Sequence, residues 1–297
     1  MNLTQFRRLL VWYLIYAGPR HAVTADTANG LLSFDSKDWL VGKHLYVYRE
    51  LERVEMREAI RLLGEEGYLN APGDTLLDVG ANIGMTCIPL LKAGHFQRAI
   101  AFEPAPDTYR YLARNIEQNG LGQRIRAFPW ALSSRSGTCR MEISKENSGD
   151  NRVRLDSRHG FFGEEGRGTI EVPAKTMDEL LAELADLQGA RIGLVWVDVQ
   201  GHEGHFFLGA KSLFASGIPA VTEFWPYAIL RSGISETDFG NIVSGLFTHF
   251  YVLSKEPAVK RDISEVSALF RRYAGPREFC SVLWLNGASG PGSTPPR

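Results

Sequence analysis

A chain of 297 residues with 44% apolar and 23% charged residues has the composition of a soluble protein with room for one large α/β domain and additions. Its 33 basic and 34 acidic residues leave a net charge of −1, so no basic excess exists to grip a phosphate backbone and nucleic acid is not expected as a partner. Three cysteines, Cys87, Cys139 and Cys280, lack metal-binding spacing and a disulfide pattern, which fits a reducing, cytoplasmic compartment.

The chain begins with two arginines before an apolar stretch in residues 6–17. The uninterrupted apolar run, 9–17, is nine residues, against the ~20 needed to span a bilayer. It reads as a helix that packs on the domain or on a partner chain, as in a homo-oligomer. Weak contact with a membrane surface and a secretion signal are the other roles it allows. Residues 1–72 are expected to form an N-terminal helical extension, with a second helix over 49–63. Asn70-Ala-Pro-Gly73 is turn punctuation before the main domain, expected over 73–286.

The segment Thr75-Leu-Leu-Asp-Val-Gly-Ala-Asn-Ile-Gly84 then carries the strongest signal. A short apolar run makes a buried strand, two glycines turn the chain, and a helix follows from Met85. A strand, a glycine-bearing turn and a helix N-terminus together make a site for a nucleotide-like ligand. The dinucleotide pattern Gly-x-Gly-x-x-Gly is missing, and no Lys-Ser or Lys-Thr follows the turn as in a P-loop. Nothing basic stands in the loop, and Asp78 precedes it. A carboxylate there repels a pyrophosphate and attracts a cation. Glu103 closes the next apolar strand, nineteen residues past Gly84, where a carboxylate can accept hydrogen bonds from ribose hydroxyls. An adenosine ligand that is cationic and lacks phosphate fits this set, and S-adenosylmethionine is one.

Strands are expected near 75–79, 98–102, 124–129, 192–197, 218–223, 247–253 and 280–285. Helices are expected near 84–93, 107–118, 176–187, 203–216 and 263–272. That alternation predicts a parallel sheet covered on both faces, with ligands beyond the carboxyl ends of its strands. Asp78, Glu103, Asp198 and Glu223 all fall at such ends. Residues 140–143 and 169–172 read as antiparallel strands. The polar stretch between them, 144–168, exceeds ordinary connections and is expected to form a lid. Residues 287–297, rich in glycine and proline, are expected to be a disordered tail.

Several blocks, in order and spacing, resemble the FkbM family of S-adenosylmethionine-dependent methyltransferases over roughly residues 70–250. They are Asp78-Val-Gly-Ala-Asn-Ile-Gly84, Phe102-Glu-Pro-Ala-Pro106, Asn115-Ile-Glu-Gln-Asn119 and Ala131-Leu-Ser-Ser. Then come Val172-Pro-Ala-Lys-Thr-Met-Asp178, Val197-Asp-Val-Gln-Gly-His-Glu203, Gly209-Ala and Glu223. Gln200 stands where many members carry Glu, and Trp196 where Lys is common.

The resemblance implies a Rossmann-like class I methyltransferase fold with a mostly parallel seven-stranded sheet. It implies methyl transfer, most simply to a hydroxyl on a sugar, a glycolipid or a secondary metabolite. The acceptor is thus a small molecule or glycan. Asp78, Gly80, Ala81, Asn82, Gly84, Glu103, Pro104, Ala131 and Asp198 are the expected cofactor residues. Asp198, His202 and Glu223 are the expected catalytic residues, and Asn147, Gln200, Trp225 and Tyr227 the expected acceptor residues.

No metal site is assigned, because His202 and His205 are three apart and not four as in His-Glu-x-x-His. Two rival readings are a non-catalytic cofactor-binding partner in a biosynthetic assembly and a nucleic-acid methyltransferase.

Overall fold

The computed structural model describes residues 1–69, 75–154, 159–254 and 257–286. The turn expected at 70–73 and the tail expected at 287–297 lie outside these residues.

Eight strands form the central sheet. Starting from Ile125–Phe128, the order across it is Arg98–Phe102, Thr75–Val79, Ile192–Val197, Ala220–Phe224, Cys280–Leu285, His249–Leu253 and Arg261–Asp262. The first five run parallel and the last three join antiparallel. All seven expected strands are present. The eighth is a two-residue edge that pairs with His249 and Phe250. Too short for any apolar pattern, it could not be read from sequence.

Both faces of this sheet are buried, which explains its continuous apolar runs. Leu76, Leu194 and Val221 pack on one side, and Leu77, Val79, Ile100, Val195 and Val197 on the other. The expected helix over 203–216 is two, Glu203–Leu208 and Lys211–Phe214. The break is at Gly209, where a Cβ would lie 2.1 Å from the Ser133 carbonyl oxygen. Helices Pro226–Arg231 and Glu236–Ser244 were not expected. A second sheet joins Gly137–Glu142 antiparallel to Thr169–Lys175, as the pattern at 140–143 and 169–172 implied.

The N-terminal extension is not purely helical. Helices Leu3–Ala17, Val41–Tyr48 and Arg53–Glu65 accompany a hairpin of Ala22–Thr27 and Gly30–Asp35. Its first strand alternates exposed and buried residues, but Val23, Ala25 and their neighbours are too small and polar to announce a strand. Asparagines of helix Pro106–Gln118 and its cap hold the hairpin to the domain. Asn115 Oδ1 accepts from Ser33 N–H at 2.7 Å, while its Nδ2 donates to Ser33 O at 3.0 Å and to Ile83 O at 2.8 Å. Asn119 brackets Leu31 through both its N–H and its carbonyl.

In helix Leu3–Ala17 the fully buried Trp12 packs against Phe34 and Tyr46, whereas Phe6, Leu10 and Leu14 are exposed. No helix among the described residues is long and apolar enough to cross a membrane.

The strand Thr75–Val79 has a chain neighbour, 98–102, on one side and a strand from much later, 192–197, on the other. This is the switch point at which open α/β sheets bind ligands. There the two loops touch. Asp198 N–H donates to Val79 O at 2.9 Å, and a Cβ on Gly80 would sit 1.8 Å from the Asp198 carbonyl oxygen. Gly80 also has a φ of 82°, so both space and backbone demand glycine.

Gly94, exposed and with a φ of 78°, has nothing within 4 Å of a would-be Cβ. Gly80→Ala should therefore lower unfolding stability by at least ~2–3 kcal/mol in urea denaturation, against ~1 kcal/mol for Gly94→Ala. Equal losses would mean that backbone conformation alone, and not the loop contact, sets the requirement.

Candidate functional site

A cavity of about 430 Å³ opens beyond the carboxyl ends of strands 75–79, 98–102, 192–197 and 220–224. Gly80, Asn82, Glu103, Pro104, Ala131, Asp198, Gln200, His202 and Glu223 all line it. Asn147 and Trp225 line it as well. Asp78, Ala81, Gly84 and Tyr227 do not.

Glu103 ends its strand with both carboxylate oxygens engaged by backbone donors. Asn82 N–H reaches Oε2 at 3.0 Å and Ala105 N–H reaches Oε1 at 2.8 Å. These bonds fix the carboxylate, and its remaining lone pairs can accept two more donors. Only 5% exposed, it is pushed by burial up to about 7, against the two N–H bonds that pull it down.

Asp78 has a different job from the one its position suggested. It is 1% exposed, and its Oδ2 accepts from Cys87 N–H at 3.0 Å. Cys87 opens the helix that follows the glycine turn. Asp78 therefore shapes the loop from beneath and reaches a ligand only through its charge. Gly84, with a φ of 93°, lets the same turn close over Ile88.

On the opposite wall Gln200 spans two carboxylates. Its Nε2 donates to Asp198 Oδ1 at 2.6 Å and to Glu223 Oε2 at 2.9 Å. Gln200 takes a left-handed backbone, φ 55°, to do so. Burial raises Asp198 to about 6, against the hydrogen bonds from Gln200 that lower it. Glu223 is raised further, by burial and then by repulsion from Asp198, Glu203 and Glu52.

His202 is 3% exposed, and its Nε2 lies 2.9 Å from Ser133 Oγ. Its ring stacks on His205 at 4.4 Å, and Nδ1 has no partner. Burial and then His205 push it down to about 3, so it is neutral at pH 7. Glu203, fully buried, caps the turn through Val199 N–H at 3.1 Å and Gly201 N–H at 3.3 Å.

The stretch expected to form a lid is partly anchored by a cluster of ion pairs. Arg152, 6% exposed, contacts Glu142 at 3.4 Å, Glu164 at 3.6 Å and Asp150 more closely. Arg154 and Arg167 add pairs to the same acids. Tyr227 belongs to this anchor rather than to the cavity, since its hydroxyl donates to Glu164 at 2.7 Å and accepts from Phe161 N–H at 2.7 Å. Trp225 does line the cavity, but the Arg152 guanidinium covers its ring at 4.8 Å and its Nε1–H is held by Pro276 O. Asn147 caps the short helix Ser148–Asp150, whose far side faces a second cavity of about 420 Å³.

Sequence reasoning missed Glu52. It lies in the N-terminal extension, reaches the same cavity, and holds a left-handed backbone at φ 55°. Burial, then repulsion from Asp198, raises it to about 8. No motif marked it, because an acidic residue just before an amphipathic helix reads as an ordinary helix-start charge. Among the described residues no group of three or more His, Cys, Asp or Glu could hold a metal ion.

The chain is 27% identical over 147 residues to "Methyltransferase sdnD" of Sordaria araneosa, covering 43% of this chain and 57% of that protein. It is 30% identical over 166 residues to "2-O-methyltransferase NoeI" of Sinorhizobium fredii, covering 52% of this chain and 65% of that protein. The chain thus spans less than two thirds of the length of either relative. A crystal structure of Methyltransferase FkbM from Methylobacillus flagellatus KT superposes with a TM-score of 0.42 at 12% identity, over 80% of this chain and 56% of that one. That likeness is weak, and the assignment does not rest on it. Residues 78–246 match the model of the methyltransferase FkbM domain, more than half of the chain, and so the chain belongs to the FkbM methyltransferase family.

Proposed function

We propose that this protein is an S-adenosylmethionine-dependent O-methyltransferase whose acceptor is a hydroxyl of a sugar, a glycolipid or a secondary metabolite. The observation that carries the reading is Glu103, held by two backbone N–H groups at the switch point and facing a cavity whose opposite wall is acidic. NoeI, named as a 2-O-methyltransferase, supports the choice of oxygen.

The residues present fit the cofactor. Gly80 lines the cavity without a side chain to intrude on it, and Glu103 keeps acceptor capacity for ribose hydroxyls. Pro104 and Ala131 present apolar surface beside it. Asp198 and Glu223 offer carboxyls that a bound cation would hold ionised, and neither forms an ion pair among the described residues. When bound, S-adenosylmethionine supplies an electrophilic methyl group on a sulfonium.

The work left to the chain is positioning and proton management. Gln200 fixes Asp198 and Glu223 relative to each other through its two N–H groups. Asp198 lines the cavity and can accept the acceptor hydroxyl and then its proton, and its position near pH 6 suits that task at neutral pH. His202, held near 3 and bonded to Ser133, is a poor base and serves to pack the wall. Trp225 and Phe162 close the acceptor side against water.

Labelled cofactor with candidate sugars, glycolipids and phenolic metabolites, followed by product mass spectrometry, should show methyl on oxygen. Methylation only of amines would sink the reading. Glu103→Ala should weaken S-adenosylhomocysteine binding by ~1–3 kcal/mol in calorimetry, through loss of a charged acceptor for ribose hydroxyls. Asp198→Asn should lower turnover ~10²–10⁴-fold, more than His202→Ala does, with cofactor affinity changed less than turnover. The reverse ranking would make His202 the base.

The raised carboxylates also set a pH dependence. Glu103, near 7, and Glu52 and Glu203, near 8, bind protons in the folded state that the unfolded chain has released. Stability therefore falls as pH rises through these values. The urea midpoint of the ligand-free protein should drop between pH 7 and 8.5, and Glu203→Gln should flatten the drop. A midpoint that climbs over this window would show that the acids are ionised in the empty protein.

A further inference from the structure

The acidic wall has three members, and one of them lies outside the matched domain. Asp198 and Glu223 come from the sheet and share the Gln200 amide. Glu52 comes from the loop before helix Arg53–Glu65. Among the described residues its carboxylate receives no hydrogen bond and forms no ion pair.

Glu52 holds a left-handed backbone, a conformation that costs a non-glycine residue of order 1–3 kcal/mol and is kept where the surroundings impose it. Here it brings a third carboxyl to the cavity that Asp198 and Glu223 already line. Two arginines line the cavity, Arg152, engaged by Glu142, Asp150 and Glu164, and Arg277, set over the Phe161 ring, and among the described residues neither forms an ion pair with Glu52, Asp198 or Glu223. A further buried group lining the same cavity, His202, leaves Nδ1 without a partner. The cavity thus carries more carboxyls than its two arginines answer, and Glu52, Asp198 and Glu223 form no ion pair among the described residues, an arrangement that suits a positively charged ligand.

We infer that Glu52 is a cation-recognition residue that, with Asp198 and Glu223, makes the site prefer the sulfonium cofactor over its neutral thioether product. This rests on the cofactor reading above and adds a role for the N-terminal extension. The cofactor and its product share the adenosine and the amino-acid portion, so Glu103 and Gly80 treat them alike. They differ by a methyl group and one unit of charge at sulfur. A nearby carboxylate feels that charge strongly in a desolvated cavity. Once the methyl has gone, the attraction at sulfur goes with it and the product leaves more readily.

The test is calorimetry on the full chain with S-adenosylmethionine, S-adenosylhomocysteine and sinefungin, which carries an amine in place of the methylated sulfur. Glu52→Gln should weaken S-adenosylmethionine and sinefungin about tenfold and S-adenosylhomocysteine by less than about twofold. Glu52→Ala should give the same ratio. Because S-adenosylhomocysteine affinity reports an intact fold and adenosine site, a misfolded variant is recognised by losing all three ligands, and the conservative Gln form then decides. Equal weakening of charged and neutral ligands, or no change in any, overturns the inference while leaving the cofactor reading in place. Failure of the wild-type protein to bind any of the three overturns the cofactor reading itself and this inference with it.

Discussion

The backbone contact between the loops that leave strands 75–79 and 192–197 organises the whole site. Asp198 N–H bonds to Val79 O, and the Asp198 carbonyl occupies the space that a side chain on Gly80 would need. This pins the acid-bearing loop against the glycine-bearing loop across the switch point. Glu103 is then tied to the first loop by the Asn82 N–H, and Glu223 to the second by the Gln200 amide. Four strand ends become one wall through a chain of single hydrogen bonds. Each bond is short-range, so the placement of every acid depends on the one before it.

Much of this was legible in the residues because burial leaves a strong mark. Runs such as Leu76–Leu77 and Leu194–Val197 are apolar on both faces, and a carboxylate at the end of such a run must have a structural or chemical reason. What could not be read was the direction in which each acid points. Asp78, inside its strand, turns down to the Cys87 N–H, while Glu103, one residue past the end of the next strand, turns to the cavity. The difference lies in which backbone donors sit nearby, and that is a tertiary fact.

The misses share a cause. Glu52 and Tyr227 act through partners distant in sequence, Glu52 facing Asp198 and Tyr227 holding Glu164. The hairpin 22–35 is stabilised by Asn115 and Asn119, eighty or more residues away, rather than by its own weak apolar pattern. Gly209 reads as tolerable inside a helix until the Ser133 carbonyl is found against it. Local pattern reports local preference, and these elements are settled elsewhere.

The asparagine clamp on the hairpin has a wider meaning. The domain's own strands supply Glu103 and the glycine turn, whereas the segment that follows the hairpin held by Asn115 and Asn119 supplies part of the cover, from Leu40 to Glu52. Anchor and cover are thus separate parts, joined by a handful of polar contacts to one helix. Such a division lets the shape of the roof drift without disturbing the machinery beneath it. A chain built this way can acquire a taste for new acceptors by rewriting some fifty residues that precede its conserved-looking motifs, and keep its chemistry intact.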